Sequence, residues 1–327
     1  MQNLTRRHLA HIVCAMSAAA IGLPACAAET YPTRPIRLIV PYAPGGGNDT
    51  MARAIGAKLT EAWGQQVIVD NRPGANGLIA CEITARAAPD GYTLLMANIA
   101  THAISPALYK KIPFDPLKDH APVALLGTTA NVLVVPPSTQ ARTVQDLVSL
   151  AKAKGGQFTY GSNGVGSSQH LAGALFASTF GLNLVHVPYK GTAPMMNDLL
   201  GGQISMSFAN MVTALPHVQS KRLVGIAVTS LKRSAALPDV PAVAESMPGF
   251  EATSWWGIVS TAGTPKPVVD KLNRAIVEAL GTPDMKGFFT RLGAEPAHTT
   301  PGAFAAFMKS ELAKWSKVVR ESGASAD

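Results

Sequence analysis

The feature that most constrains the fold is a regular alternation of short apolar runs with longer amphipathic segments. The runs predicted to be strands are 36–40, 66–69, 93–97, 123–126, 132–135, 158–160, 184–187, 204–208, 223–228 and 255–259. The segments predicted to be helices are 50–63, 79–87, 143–154, 168–179, 195–200, 214–220, 268–280, 284–292 and 301–322. Such apolar strands separated by helices predict an α/β fold with parallel sheets covered on both faces.

The order of these elements predicts two domains, as does the length of 327 residues. Domain 1 is predicted to comprise residues 29–130 and 254–327, and domain 2 residues 131–253. The chain would then cross between them twice, near Thr129–Asn131 and between Thr229 and Ser254. A cleft between two α/β domains is a favoured ligand site.

Residues 1–28 are predicted to be a secretory signal peptide. Arg6 and Arg7 precede an apolar stretch, and Ala25-Cys26-Ala27 supplies small residues for cleavage. The stretch, 12–23, is shorter than the roughly 20 residues of a membrane span. Sec and twin-arginine export both remain open, as does lipidation of Cys26. The exported chain is therefore expected to be soluble or lipid-tethered.

The charge pattern argues against a nucleic-acid partner. Removal of the signal peptide lowers the formal net charge from +8 to +6, and no run of five Lys or Arg exists. Residues 155–189 contain no Lys, Arg, Asp or Glu at all. An anionic small molecule bound there would have to be held by helix ends, amides, hydroxyls and water.

Two Gly-rich loops, within residues 40–49 and 160–170, connect a predicted strand to a predicted helix. Glycines allow close approach of a ligand, and the following helix N-terminus favours an anion. Asn48 and Asp49 are predicted to cap the first helix. The alternative is that these glycines only make turns.

The sequence contains no recognisable catalytic constellation. Neither loop matches a Walker A or a Rossmann pattern, no Gly-x-Ser-x-Gly occurs, and no histidine pair has metal-ligand spacing. We therefore expect no enzymatic activity, no metal and no cofactor. His102 and His170 have loop settings that suit a cleft, although a structural role is the alternative for each.

Short motifs in chain order resemble one family. They are Tyr31-Pro-x-Arg-Pro-Ile, Pro41-Tyr-Ala-Pro-Gly-Gly, Asn71-Arg-Pro-Gly-Ala, Pro89-Asp-Gly-Tyr-Thr-Leu, Pro106-Ala-Leu-Tyr, Tyr160-Gly-Ser-x-Gly-x-Gly-Ser, Val187-Pro-Tyr-Lys-Gly, Asp198-Leu-Leu-Gly-Gly-Gln, Leu237-Pro-Asp-Val-Pro and Gly263-Thr-Pro. This series is similar to the Bug (TctC-type) receptors of tripartite tricarboxylate transporters, and it covers nearly the whole exported chain.

The resemblance implies a periplasmic solute-binding protein with two doubly wound α/β domains joined by two crossovers, a Venus-flytrap fold. It implies a small organic carboxylate as ligand, membrane transporter subunits as partners, and a monomer. The implied ligand-binding residues are Tyr42, Ala43, Gly45, Gly46, Asp49, Asn98, Thr101, His102, Ser162, Asn163, Gly164, Ser167, His170 and Asn210. Ala209 stands where many relatives have Asp, which weakens any preference for an amine-bearing ligand. A co-receptor for a membrane kinase and an exported enzyme on the same scaffold are the alternatives.

Overall fold

A computed structural model describes residues 31–322 and residue 324. The predicted signal peptide and Cys26 lie outside the described residues. The strands are β1 (Ile36–Val40), β2 (Val67–Asn71), β3 (Thr93–Asn98), β4 (His120–Thr129), β5 (Asn131–Val135), β6 (Phe158–Ser162), β7 (Leu184–Pro188), β8 (Met206–Asn210), β9 (Val224–Val228), β10 (Ser254–Thr261) and β11 (Ala294–Pro296). The α-helices are α1 (Gly47–Trp63), α2 (Leu78–Ala85), α3 (Ser105–Leu108), α4 (Val144–Ala153), α5 (Ser168–Phe180), α6 (Thr192–Leu200), α7 (Met211–Gln219), α8 (Val243–Ser246), α9 (Lys266–Gly281), α10 (Pro283–Arg291) and α11 (Pro301–Ser322).

The strands form two separate sheets. The first has six strands in the order β11-β4-β10-β3-β1-β2, and the second has five in the order β7-β6-β8-β5-β9. We call the parts of the molecule built on them lobe 1 and lobe 2. Helices pack against both sheets, which confirms the predicted α/β fold with two crossovers.

Both sheets are mixed, so the prediction of parallel sheets is wrong in part. β1 pairs in parallel with β2 and β3, and β6 pairs in parallel with β7 and β8. β10 runs antiparallel to β3 and β4, and β5 runs antiparallel to β8 and β9. These two strands are the ones that the chain enters directly from the other sheet. Each begins at the edge where its neighbours end, so its direction is reversed.

The two crossovers lie side by side. Only Ala130 separates β4 from β5, and the second crossover runs from β9 to β10. The backbone N–H of Asn131 donates to Thr229 Oγ1 at 2.9 Å, and the backbone N–H of Thr229 donates to the Asn131 carbonyl, also at 2.9 Å. Thr229 Oγ1 also donates to the Ala252 carbonyl at 2.8 Å. These bonds join the two crossing segments into one connection.

β10 lies in the core of the molecule, since all eight of its residues are buried. Trp255 Nε1 donates to Glu311 Oε2 of α11 at 3.2 Å, and Trp315 Nε1 donates to the same atom at 3.1 Å. Trp256 belongs to the apolar cluster on the other side of the sheet. Both tryptophans of β10 therefore serve packing. Over the described part of the chain, we find no helix whose length and apolarity would allow it to span a membrane.

Candidate functional site

The two Gly-rich loops lie at the sheet edges where parallel strands end. Loop 1, residues 41–46, connects β1 to α1, and loop 2, residues 163–167, connects β6 to α5. Since β4 and β9 leave the sheets by these same edges to make the crossovers, the two edges adjoin where the lobes meet, and we call this junction the cleft. The structure thus brings both predicted loops to one place.

The predicted site residues differ widely in exposure. Exposed or half-buried are Tyr42, Ala43, Gly45, Gly46, Asn163, Gly164 and Asn210. Buried are Asp49, Asn98, Thr101, His102, Ser162, Ser167 and His170. The first group can meet a ligand through side chain or backbone, whereas most of the second group holds the loops in place.

The N-terminus of α1 is open toward loop 1. The helix begins at Gly47 after an extended N-cap residue, Gly46, which has no side chain to accept a hydrogen bond from the first turn. The prediction of capping by Asn48 and Asp49 is therefore wrong, because the helix starts before both. Backbone N–H groups without a side-chain cap, together with the helix dipole, favour an anion at this end.

Asp49 holds loop 1 from inside. Its Oδ2 accepts from the backbone N–H of Gly45 at 2.9 Å and from Arg53 Nε at 3.0 Å, while Oδ1 accepts from Asn71 Nδ2 at 3.0 Å. Burial disfavours the charged carboxylate, but the bonds from Arg53, Gly45 and Asn71 outweigh it and hold the pKa of Asp49 below its ordinary value. Asn71 Nδ2 also donates to the Tyr42 carbonyl at 2.9 Å. Asp49 is thus engaged by the protein itself.

Asn98 connects the end of β3 to loop 1 and α1. Its Oδ1 accepts from the backbone N–H groups of Ala100 and Thr101 at 2.9 and 3.2 Å, and from the Tyr42 hydroxyl at 3.4 Å. Its Nδ2 donates to Asn48 Oδ1 at 3.2 Å. Asn98 therefore fixes the Tyr42 ring at the cleft wall and the first turn of α1.

His102 lies behind this wall, in a π-helical turn formed by Ala100–Ile104. Its Nδ1 is 2.8 Å from Thr101 Oγ1 and its Nε2 is 3.3 Å from His120 Nδ1, and His120 Nε2 lies 3.1 Å from the Cys81 carbonyl. Because that carbonyl can only accept, His120 donates to it, His102 donates to His120, and Thr101 donates to His102. Both ring nitrogens of His102 are thus used within the protein. Burial and the neighbouring His120 hold the pKa of His102 well below its ordinary value, and burial lowers that of His120 to about 4.

Loop 2 is shaped by its own polar groups. Ser162 Oγ accepts from the backbone N–H of Gly164 at 3.2 Å and lies 2.7 Å from His186 Nε2. The backbone N–H of Asn163 donates to Gln169 Oε1 at 2.8 Å. Ser167 caps α5, its Oγ accepting from the backbone N–H of His170 at 3.2 Å. Within this loop the Asn163 side chain is exposed.

His170, like His102, is a buried histidine whose ring is engaged by groups of the protein itself. Its Nδ1 accepts from the backbone N–H of Gly166 at 3.2 Å, and its ring stacks on that of His186 with centroids 3.9 Å apart. The ring of Tyr160 stacks with both, its centroid lying 4.9 Å from that of His186 and 6.4 Å from that of His170. Burial lowers the pKa of His170 to about 4, and burial together with His170 lowers that of His186 to about 3. Both rings are therefore neutral at pH 7.

Asn210 ends β8 and caps α7, with its Oδ1 accepting from the backbone N–H of Val212 at 3.2 Å. It is half-buried and pairs with Asn131 at the first crossover. Residues that the sequence analysis missed are Arg53, Asn71, His120 and His186, each of which binds a predicted residue. The described part of the chain brings together no group of three His, Cys, Asp or Glu that could hold a metal ion.

Comparison with known proteins points to one family. A model of the tripartite tricarboxylate transporter family receptor matches residues 51–324. Protein BugT of Bordetella pertussis is 39% identical over 324 residues, which cover 98% of this chain and 99% of BugT. The structure of Rpa4515 from R. palustris with adipate is 34% identical, with a TM-score of 0.83 over 90% of this chain and 99% of that one. MatC from Rhodopseudomonas palustris, with bound malate, is 31% identical, with a TM-score of 0.79 over 88% of this chain and 100% of that one.

Proposed function

The chain belongs to the tripartite tricarboxylate transporter receptor family, and on that premise we propose that it captures a small carboxylate-bearing metabolite in its cleft. It then delivers the ligand to membrane subunits of such a transporter. The observation that carries this proposal is the pair of helix N-termini, those of α1 and α5, that loops 1 and 2 present at adjoining sheet edges. A carboxylate between them would accept hydrogen bonds from both lobes and would hold them together.

The chemistry of the cleft supports an anionic ligand held without a charged side chain. Loop 2 and its surroundings contain no charged residue between positions 155 and 189. In the first turn of α1, beside loop 1, the Asp49 carboxylate is neutralised by Arg53, at 2.9 Å between Oδ1 and Nη2. Adipate and malate, which accompany the two solved relatives, are both carboxylates. We propose the same ligand class here.

We propose distinct roles for the predicted site residues. Tyr42, Ala43, Gly45, Gly46, Asn163, Gly164 and Asn210 face the ligand. Asp49, Asn98, Thr101, His102, Ser162, Ser167 and His170 position those groups. The exposure of the first set and the internal hydrogen bonds of the second support this division.

The cellular setting follows from the family. We propose that the protein works in the periplasm after removal of residues 1–28, and that it acts as a monomer without nucleic-acid partners and without enzymatic activity. We also propose domain limits of 29–130 with 254–327 and of 131–253. These limits are supported by the sheets, since β1–β4, β10 and β11 make one sheet and β5–β9 make the other.

Calorimetry of the chain without residues 1–28, against adipate, malate, citrate and aromatic acids, tests the proposed function. We expect one or more carboxylates to bind and Gly46→Leu to abolish binding. A Cβ at Gly46 would have no neighbour closer than 3.9 Å and the φ of −82° suits any residue, so we expect this variant to keep the fold and to obstruct the helix N-terminus. Gly281→Leu, where a Cβ would meet nothing within 4 Å, is the matched control at the end of α9. Binding that survives Gly46→Leu would overturn the proposed site.

A further inference from the structure

The turn that follows β2 has an unusual backbone. Four consecutive residues have positive φ: Gly74 at 130°, Ala75 at 45°, Asn76 at 51° and Gly77 at 90°. Glycine adopts such angles freely, whereas alanine and asparagine do so at a cost in conformational energy. Backbone strain of this kind persists where surrounding contacts enforce it, and it is concentrated at functional sites.

This left-handed turn, residues 74–77, is packed against the loop 1 side of the cleft. A Cβ at Gly77 would stand 2.8 Å from Thr101 Cγ2 and 2.9 Å from Pro41 Cβ, so no side chain fits there. The backbone N–H of Gly77 donates to the Gly74 carbonyl at 2.8 Å and closes the turn. The turn therefore has a fixed place beside loop 1.

Asn76 lies where lobe 1 meets loop 2 of the other lobe. Its Nδ2 donates to Ser105 Oγ of α3, in its own lobe, at 3.3 Å. The same Nδ2 would stand 3.3 Å from a Cβ built on Gly166 of loop 2, and Leu108 of α3 would stand at 2.5 Å. Gly166 is itself buried, with a φ of 77°. Asn76 and Leu108 of lobe 1 thus occupy the space where a side chain at Gly166 of loop 2 would lie.

We propose that Asn76 is a positioning residue of the ligand cleft. From its left-handed turn in lobe 1, it rests against Gly166 and holds loop 2 at the separation from loop 1 that a bound carboxylate requires. The role of Asn76 in ligand binding rests on the proposed function, whereas its position beside Gly166 does not. This role explains why a strained asparagine occupies a position where glycine would be conformationally easier.

The distance between the lobes tests this role. Nitroxide labels on Ala62→Cys in α1 and Ala153→Cys in α4, both exposed, report that distance by pulsed electron resonance. The labelled chain lacks residues 1–28 and with them Cys14 and Cys26, and its remaining native cysteine, Cys81, is fully buried and escapes labelling. Glycine keeps the backbone angles and removes only the side chain that rests against Gly166. In ligand-free protein, we therefore expect Asn76→Gly to increase the mean distance between the two labels.

Gln140→Gly is the matched control. Gln140 also has a left-handed backbone, with a φ of 60°, but it lies in lobe 2 after a short 3-10 turn. Both glycine variants relieve similar strain, so the unfolding midpoints of both should stay within about 2 °C of the parent. A distance distribution of Asn76→Gly that superimposes on the parent, or an equal shift in Gln140→Gly, would overturn the proposal.

Ligand dissociation supplies a second readout. The probes are adipate and malate. For whichever of them binds the parent protein, we expect Asn76→Gly to raise the dissociation rate about fivefold. Gln140→Gly should release it at the parental rate. If the parent binds neither probe nor any other carboxylate, the proposed function fails, while the distance measurement on ligand-free protein still decides the role of Asn76.

Discussion

Replacing Asp49 by asparagine tests whether one buried carboxylate organises loop 1. The substitution preserves size but turns one acceptor oxygen into an NH2 group, which then faces donors. If the NH2 group replaces Oδ2, the Gly45 N–H and Arg53 Nε lose their acceptor. If it replaces Oδ1, Asn71 Nδ2 and Arg53 Nη2 lose theirs. Arg53 is 55% exposed, so water screens its charge and its ion pair contributes little. The main loss therefore falls on the bond from Gly45 or on the bond from Asn71, according to which oxygen is replaced.

Hydrogen bonds to a charged partner contribute about 1.5–3 kcal/mol each, and Asp49 is only 3% exposed. We therefore expect Asp49→Asn to lower the free energy of unfolding by about 2–3 kcal/mol. Loop 1 would also lose either the bond that orders Gly45 or the bond that orders Asn71, whose side chain holds the Tyr42 carbonyl. A loss of about 1.4 kcal/mol in binding corresponds to a tenfold weaker carboxylate affinity, which we expect as a minimum.

Urea unfolding followed by tryptophan fluorescence measures the first quantity, and calorimetry with a bound carboxylate measures the second. Asp146→Asn is the control, because Asp146 also accepts backbone N–H bonds, from Arg142 and Thr143, but lies exposed at the start of α4. It should cost under about 1 kcal/mol and leave affinity unchanged. An Asp49→Asn protein that unfolds like the parent, or that is destabilised yet binds with parental affinity, would refute this reasoning.

Three further predictions concern pH, packing and capping. Because burial lowers the pKa of His120 from 6.5 to about 4, the unfolded chain binds a proton that the folded chain rejects between these values. The free energy of unfolding should therefore fall as the pH drops from 6.5 to 4, by on the order of 3 kcal/mol for this group, and urea unfolding that is flat over this range would contradict it. Gly257→Ala would bring its Cβ within 2.2 Å of Phe304 Cζ, and a cost of about 1–3 kcal/mol should appear as a lower melting temperature; an unchanged value would show that the ring can move. Ser167→Ala should cost about 0.5–2 kcal/mol and weaken carboxylate affinity, whereas Thr143→Ala, at the α4 cap, should affect stability alone; equal affinity of the two variants would contradict this.

The strands and the two Gly-rich loops could be predicted because their causes are local. Apolar runs of three to six residues, and the glycines that follow two of them, lie within one stretch of sequence and need no distant partner. The direction of β5 and β10 could not be predicted in this way. It depends on which sheet the previous strand belongs to, and β10 pairs with strands more than 120 residues earlier in the chain.

In the site too, features that depend on distant partners could not be predicted from the sequence. Asn48 and Asp49 have the composition of a cap, yet α1 begins at Gly47, because Asp49 finds better donors in Asn71 and Arg53. For His102, a loop setting suits an exposed and a buried imidazole equally. The deciding partner, His120, belongs to β4 and reaches it only when the sheet has formed.

The place of β10 has a consequence for the order in which the protein can assemble. The second sheet is complete once residue 228 has emerged, since all of its strands lie between 131 and 228. The first sheet at that point still lacks β10, which sits between β3 and β4. A chain that emerges from its N-terminus can therefore finish its inserted half first. The half that began emerging earlier must wait, with β3 and β4 unpaired along the edges that β10 joins, until residues 254–261 arrive. Those edges are open to pairing with another chain in the interval, so the exposure of nascent protein to aggregation is concentrated in the half that carries loop 1.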